Sequence, residues 1–262
     1  MRICVVGAGV AGLAAARILH RAGHQVVVLE KSSGLGGRCA TRRVGPYTFD
    51  TGATSIAPRG RGLEKFMLEE ADQSDLHRIE KPGWLTEYGR VAPGDATKMK
   101  IDRYTYRSGI NRIGKLLAEG LEVRREIKVE RIDQEPECVT VNGESYDHCV
   151  VAIPAPQAKE LLEPQRSVPM TRFRACLSVL LGYEKELPPQ PYFALLDEDQ
   201  RSPLVWLSLE SQKCPDRAPE GHTALVAQLG AEFSRDHYDS SDHEVGFEAW
   251  TAVSRILGKE FA

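Results

Sequence analysis

The sequence predicts an α/β protein. Three observations carry this. A buried-strand run ends in a spaced set of glycines, a second such run ends on an acid, and from residue 76 onward short strands alternate with Pro-Gly and Asn-Gly turns. The 262 residues are enough for one large domain or two interleaved smaller ones. With 34 basic against 37 acidic residues the net charge is −3, without the basic excess a nucleic-acid surface needs. A content of 42% hydrophobic and 27% charged residues excludes a disordered or membrane-embedded chain.

Taken in order, Ile3-Cys4-Val5-Val6 suits a strand buried on both faces. Gly7-Ala8-Gly9-Val10-Ala11-Gly12 follows. A helix comes next, with its face predicted at Ala11, Ala15, Ile18 and Ala22 and its end at Gly23. Val26-Val27-Val28-Leu29 forms the second buried strand and closes on Glu30. Strand, glycine turn, helix and strand in this order make a Rossmann-like βαβ unit. The uncharged stretch Ile3–Ala16 is too short to span a bilayer, so the chain reads as soluble. Cys4, Cys39, Cys138, Cys149, Cys176 and Cys214 include no CxxC pair and read as small buried thiols in a reducing, cytoplasmic compartment.

The glycines have separate tasks. Gly7 permits the tight turn, Gly9 lets backbone approach a pyrophosphate, and Gly12 lets helix pack on strand. No Ser, Thr, Asp or Asn caps the helix, so its free N–H groups and positive dipole end are left for an anion, most simply a diphosphate. Glu30 ends the second strand where a carboxylate can accept both ribose hydroxyls, and its charge would repel a 2′-phosphate. Lys31-Ser32-Ser33-Gly34-Leu35-Gly36-Gly37-Arg38 then brings a second glycine turn to the diphosphate, with Arg38 to neutralise it. In Phe49-Asp50-Thr51-Gly52-Ala53-Thr54, Gly52 and its small neighbours suit backbone passing close to a flat ring.

The segments VVGAGVAGLAAARIL, VVVLEKSSGLGGRCATRR and FDTGAT resemble the amino terminus of FAD-dependent amine-oxidase-type flavoproteins, the flavin-containing amine oxidoreductases. The short chain is most similar to their renalase-like branch. This resemblance implies FAD as cofactor and a Rossmann-like FAD-binding domain with an inserted mixed-sheet (α+β) substrate domain. Residues 1–58 and 104–160 would form the first, residues 59–103 and 161–262 the second. Gly7, Gly9, Ala11, Gly12, Glu30, Lys31, Gly36, Gly37, Arg38, Gly52, Ala53 and Thr54 would surround the cofactor, with Val129 against the adenine. The family's Gly-Asp segment near the carboxyl terminus, which closes on the pyrophosphate and the flavin, has no counterpart before Ala262.

Further along, a helix is expected over 60–72 and short strands over 76–80, 84–88 and 97–101. A helix over 109–119 has Ile110, Ile113, Leu116 and Leu117 on one face and stops at Gly120. Strands over 121–124, 127–132 and 138–141 lead to the hairpin turn Asn142-Gly143 and a strand over 146–153. Strands over 173–183, 192–196, 204–209 and 224–229 follow, and Ser241-Asp242-His243-Glu244 opens a capped helix running to about Leu257. The resemblance makes this half the substrate domain, with Tyr192, Phe193 and Trp206 as candidate walls for an aromatic substrate.

No acid–base constellation stands out, as expected where the cofactor carries the chemistry. Asp236, His237, Asp242, His243 and Glu244 form a polar loop and helix start rather than converging metal ligands. Arg59, Arg61, Lys98, Lys100 and Arg103 could welcome an anion but read first as solvated surface. The function expected is an FAD-dependent oxidase taking hydride from a reduced N-heterocycle of the dihydronicotinamide type, or from an amine, with O2 as electron acceptor. The partners are then a small-molecule substrate and O2, without nucleic acid or membrane. An NAD-dependent dehydrogenase and a non-catalytic dinucleotide-binding module are the rivals.

Overall fold

The computed structural model describes residues 1–87, 90–94, 101–162, 167–169, 171–258 and 261. The chain divides into two units, Met1–Ala40 with Asn111–Phe173 and Thr41–Ile110 with Arg174–Ala262.

The first unit is built on strand β1 (Arg2–Val6), helix α1 (Val10–Arg21) and strand β2 (Gln25–Glu30). Both strands sit inside a four-stranded parallel sheet, flanked by His148–Val151 beside β1 and Glu122–Arg125 beside β2. Burial on both faces explains why β1 and β2 read as continuous apolar runs. Cys4, Val6, Val27, Leu29, Val129, Ile132, Val141 and Tyr146 form the core cluster on one side. At the end of α1, Gly23 takes φ +87° and donates to His20 O at 2.9 Å, as a C′ glycine does.

The face expected for α1 is corrected. Gly12, Leu13 and Ala16 are buried, whereas Ala11 and Ala22 are exposed and Ile18 is 68% exposed. The helix is phased by the seat of Gly12 on the glycine turn, not by the spacing of its aliphatic side chains. The strand expected over 127–132 covers only its last residue, in Ile132–Gln134. Glu126 has φ +60°, and the Ile127 N–H is spent on Glu30 O at 2.9 Å, which takes the chain out of ladder geometry. The strand expected over 146–153 breaks at Asp147 into Glu144–Tyr146 and His148–Val151, which belong to different sheets. The hairpin between Val139–Val141 and Glu144–Tyr146 turns at Asn142 (φ +48°) and Gly143 (φ +82°), the left-handed pair that a two-residue turn demands.

The second unit carries a six-stranded mixed sheet in the order Ser178–Tyr183, Thr223–Leu229, Leu204–Leu209, Ala194–Leu196, Gly83–Glu87, Arg90–Pro93. The pairing of Ala194–Leu196 with Gly83–Glu87 is parallel and the rest are antiparallel. The expected strand over 173–183 therefore starts five residues late, at Ser178. Of the strand expected over 97–101 only Ile101 is described, and Lys98 and Lys100 lie outside the described residues. A hairpin joins Thr41–Val44 to Tyr47–Asp50. The last helix, Asp242–Leu257, has its capping box in place. Glu244 N donates to Ser241 Oγ at 3.3 Å, and Ser241 N to Glu244 Oε2 at 3.2 Å. Its Val245, Ala249 and Val253 pack with Leu195, Leu207, Leu225 and Leu229. Cys4 and Cys214 are buried as expected, but Cys176 is exposed.

Among the described residues, no helix is long and apolar enough to cross a membrane.

Candidate functional site

In the first unit β1 delivers the chain into Gly7 at φ +101°, where a Cβ would lie 2.8 Å from Ile153 Cγ2 and 3.0 Å from Ala152 O. Only glycine fits both the torsion and the space. Gly9 is the N-cap of α1. It offers no side chain to cap the helix, and the first turn holds no acid. A Cβ at Gly9 would meet nothing within 4 Å, so open space lies where a ligand's backbone can approach. At Gly12 a Cβ would stand 2.0 Å from Gly7 O, so helix and turn are in backbone contact.

The second glycine turn is laid directly on the first. Gly36 N donates to Ala8 O at 2.9 Å, and a Cβ on Gly37 would be 3.1 Å from Gly9 Cα. Gly36 and Gly37 have φ +98° and +57°. Behind them Gly114, in helix Arg112–Ala118, comes so close that its Cβ would lie 2.6 Å from Gly36 Cα. Sequence reasoning missed Gly114, although a glycine among Ile113, Leu116 and Leu117 on a short buried helix is a usable signal of close approach.

Glu30 closes the cradle. Its Oε2 accepts from Ala8 N at 2.7 Å and its Oε1 from Ser32 N at 2.8 Å. The carboxylate is thus held against the start of both turns, and each oxygen keeps a lone pair for a sugar hydroxyl. Val129 is buried beside Val27 and Leu29, two residues after the Ile127–Glu30 hydrogen bond. Ala11, Lys31, Gly37 and Arg38 are exposed, and the Arg38 guanidinium lies 5.8 Å from the centre of the Phe173 ring. An uncapped helix tip, two abutting glycine turns and a fixed acid suit a dinucleotide diphosphate and its ribose.

In the second unit the segment Thr51–Thr54 is fastened through its carbonyls. Thr51 O accepts from Ser178 Oγ at 2.9 Å, Gly52 O from Gln228 Nε2 at 2.8 Å and Thr54 O from Lys213 Nζ at 2.8 Å. Ala53 is exposed at the crest of this segment, while Thr54 is buried. Beneath it lies a fully buried cluster that the sequence did not reveal. Lys213 Nζ reaches Asp50 Oδ2 at 2.9 Å and Glu210 Oε1 at 2.6 Å, and Arg217 Nη2 reaches Asp50 Oδ2 at 2.8 Å. Thr41 Oγ1 and Ile110 N each donate to Asp50 Oδ1 at 2.8 Å. Burial pushes the Asp50 carboxyl up, but the Lys213 ammonium and the Arg217 guanidinium outweigh it and hold the group below the usual carboxylate range. Two acids and two bases balance, which is what makes so much buried charge tolerable.

The second unit also holds a cavity of about 740 Å3, bordered by Trp206, Leu196, Leu85, Arg59 and Arg103 among others. Of the expected aromatic walls, Trp206 lies on it. Tyr192 turns into the core, its ring 5.3 Å from that of Trp84, and Phe193 is buried. The polar residues from Asp236 on have local partners where the structure shows one. Asp236 pairs with Arg235 at 2.8 Å, and His237 Nδ1 lies 3.0 Å from Phe233 O.

This fold and this cradle define a protein of the dinucleotide-binding, Rossmann-like class. Residues 5–69 match the NAD(P)-binding Rossmann-like domain, and residues 95–262 match the flavin containing amine oxidoreductase family. The chain therefore belongs to the flavin-containing amine oxidoreductases, and its cofactor is FAD. It is similar to the zeta-carotene-forming phytoene desaturase of Myxococcus xanthus, at 53% identity over 79 residues, covering 30% of this chain and 14% of that protein. It is also similar to a 4,4'-diapophytoene desaturase of Staphylococcus haemolyticus (strain JCSC1435), at 50% identity over 56 residues, 21% of this chain and 11% of that one. The chain thus matches less than a sixth of the length of these curated relatives. Among solved structures, an oxidoreductase from Methanosarcina mazei has a TM-score of 0.75 at 14% identity, covering 98% of this chain and 85% of that chain. A putrescine oxidase double mutant has a TM-score of 0.72 at 14% identity, covering 100% and 83%.

Proposed function

We propose that the protein is a renalase-like oxidase that takes hydride from a reduced N-heterocycle of the dihydronicotinamide type, or less readily from an amine, and passes the electrons to O2. When bound, FAD supplies the electron sink. Overall, hydride from the substrate and one proton from solvent would convert O2 to hydrogen peroxide, leaving the substrate oxidised by two electrons. The observation that carries this reading is the cradle, in which Gly9 leaves open space over an uncapped helix and Glu30 is pinned across both glycine turns. The chain's own work is to bind and orient. The α1 tip and the N–H groups of the Gly36-Gly37 turn hold the diphosphate, with Arg38 as counter-charge. Glu30 would take the ribose, and Val129 would line the adenine pocket. Gly52, Ala53 and Thr54, fastened through Lys213, would flank the flavin ring. Residues 1–58 and 104–160 are assigned to the cofactor, and 59–103 with 161–262 to the substrate.

The test uses the purified yellow protein under anaerobic conditions. Dihydronicotinamide isomers should bleach the flavin absorbance, and admission of air should restore it with one peroxide formed per substrate oxidised. Full flavin occupancy with no bleaching by any dihydronicotinamide or amine would overturn the proposal.

A further inference from the structure

The cavity in the second unit has a chemical character of its own. Trp206 pairs across the sheet with Leu196, and Leu196 pairs with Leu85 on the next strand. Residues in register across neighbouring strands point to the same face. An indole and two leucines therefore form one continuous apolar row, and all three border the cavity. Its volume of about 740 Å3 is that of a small-molecule site.

Cations and acids border the same space, and two of the four cations are already engaged. Arg78 is paired with Asp102 at 2.7 Å, and Lys81 Nζ donates to Gln212 Oε1 at 2.9 Å. Glu80 and Glu198 are exposed. Two guanidiniums remain. Arg59 has no hydrogen bond or ion pair among the described residues, and Arg103 reaches only the uncharged Ser55 Oγ, at 3.4 Å. Arg103 is half-buried. Burial, together with the neighbouring charge of Arg59, lowers its affinity for its proton. Two like charges close enough to repel, one of them partly desolvated and neither with a carboxylate partner, are an arrangement that a bound anion relieves.

We propose that this cavity binds a planar aromatic or heteroaromatic molecule carrying a carboxylate or a phosphate, with its ring on the Trp206–Leu196–Leu85 row and its anionic group held by Arg59 and Arg103. A guanidinium recognises both anions through paired N–H donors, so the shared chemistry is a planar anion. The site stands independently of the redox reading, since nothing in it depends on hydride transfer.

Calorimetric titration of the flavin-loaded protein tests it with four probes: benzoate, phenyl phosphate, benzyl alcohol and inorganic phosphate. At least one of the aromatic anions should bind about tenfold more tightly than benzyl alcohol and than inorganic phosphate. Whichever aromatic anion binds more tightly tells a carboxylate site from a phosphate site. Arg59→Gln and Arg103→Gln should each weaken that anion by about tenfold while leaving benzyl alcohol unchanged. Arg59 is exposed, so Arg59→Gln keeps the test sharp even if Arg103→Gln disturbs folding. Equal binding of benzyl alcohol, unaltered anion binding in Arg59→Gln, or no aromatic anion bound at millimolar concentration would each overturn the proposal. None of these readouts involves flavin reduction.

Discussion

A single methyl group at position 12 would stand 2.0 Å from Gly7 O, inside the contact on which α1 rests. Gly12→Ala must push the helix off the strand, at a cost of about 1–3 kcal/mol or more. The expected outcome is a lower thermal midpoint together with loss of retained flavin, read from melting curves and the visible spectrum of the same sample. At Asp50 the argument is electrostatic. Its carboxylate faces Lys213 and Arg217 with no exposed surface, so Asp50→Asn leaves buried positive charge unmatched and should cost about 3–5 kcal/mol near neutral pH. The sign with pH follows from its depressed folded-state pKa. The stabilisation is present above the ordinary carboxylate range, near pH 4, and is lost as pH falls through the lower folded value. Denaturant midpoints should therefore separate wild type from Asp50→Asn at pH 7, and the gap should narrow as the pH drops below about 4. A constant gap down to pH 2 would contradict this assignment.

Elements add the question of what the local pattern can specify. The capping box was visible because Ser241 and Glu244 carry it within four consecutive residues. Ser241→Ala removes the acceptor for the Glu244 N–H and should lower the stability of the second unit by about 1 kcal/mol, read as a small drop in melting temperature. The Asn142-Gly143 hairpin, the Gly120 stop and the strand Leu204–Leu209 were equally local and read correctly. Helix α1 shows where this fails. Ala11, Ala15, Ile18 and Ala22 make a regular apolar stripe, yet the helix is turned so that Gly12 meets Gly7, and Ile18 is left 68% exposed. Backbone contact through a missing side chain outranks a weak stripe of alanines. The strand expected over 127–132 fails for a related reason, because Ile127 gives its N–H to Glu30 O instead of to a ladder.

For the molecule as a whole, ligand linkage is the natural measure. A cofactor that binds only the folded chain stabilises it by about 2.7 kcal/mol when present at a hundredfold excess over its dissociation constant. Adding FAD back to deflavinated protein should therefore raise the melting temperature in a concentration-dependent way, and the rise should be much smaller in Gly12→Ala. The nucleotide cradle was largely legible in the sequence, since Gly7, Gly9, Gly12, Glu30, Gly36 and Gly37 lie within thirty-one consecutive residues and each answers a local steric or electrostatic need. The buried charge cluster was not. Lys213 lies 163 residues from Asp50 and Arg217 lies 167 residues from it, and no local spacing announces such partners. The same holds for the cavity row, where Trp206, Leu196 and Leu85 become neighbours only through strand register. By itself the sequence determined the βαβ unit, its glycine turns and the acid at its edge, because those depend on torsions and periodicities inside one stretch of chain. Tertiary structure alone decided which face of α1 is buried, which charges neutralise one another and which arginines at the cavity lack a carboxylate partner among the described residues, because each of these is settled by contacts between residues far apart in the chain.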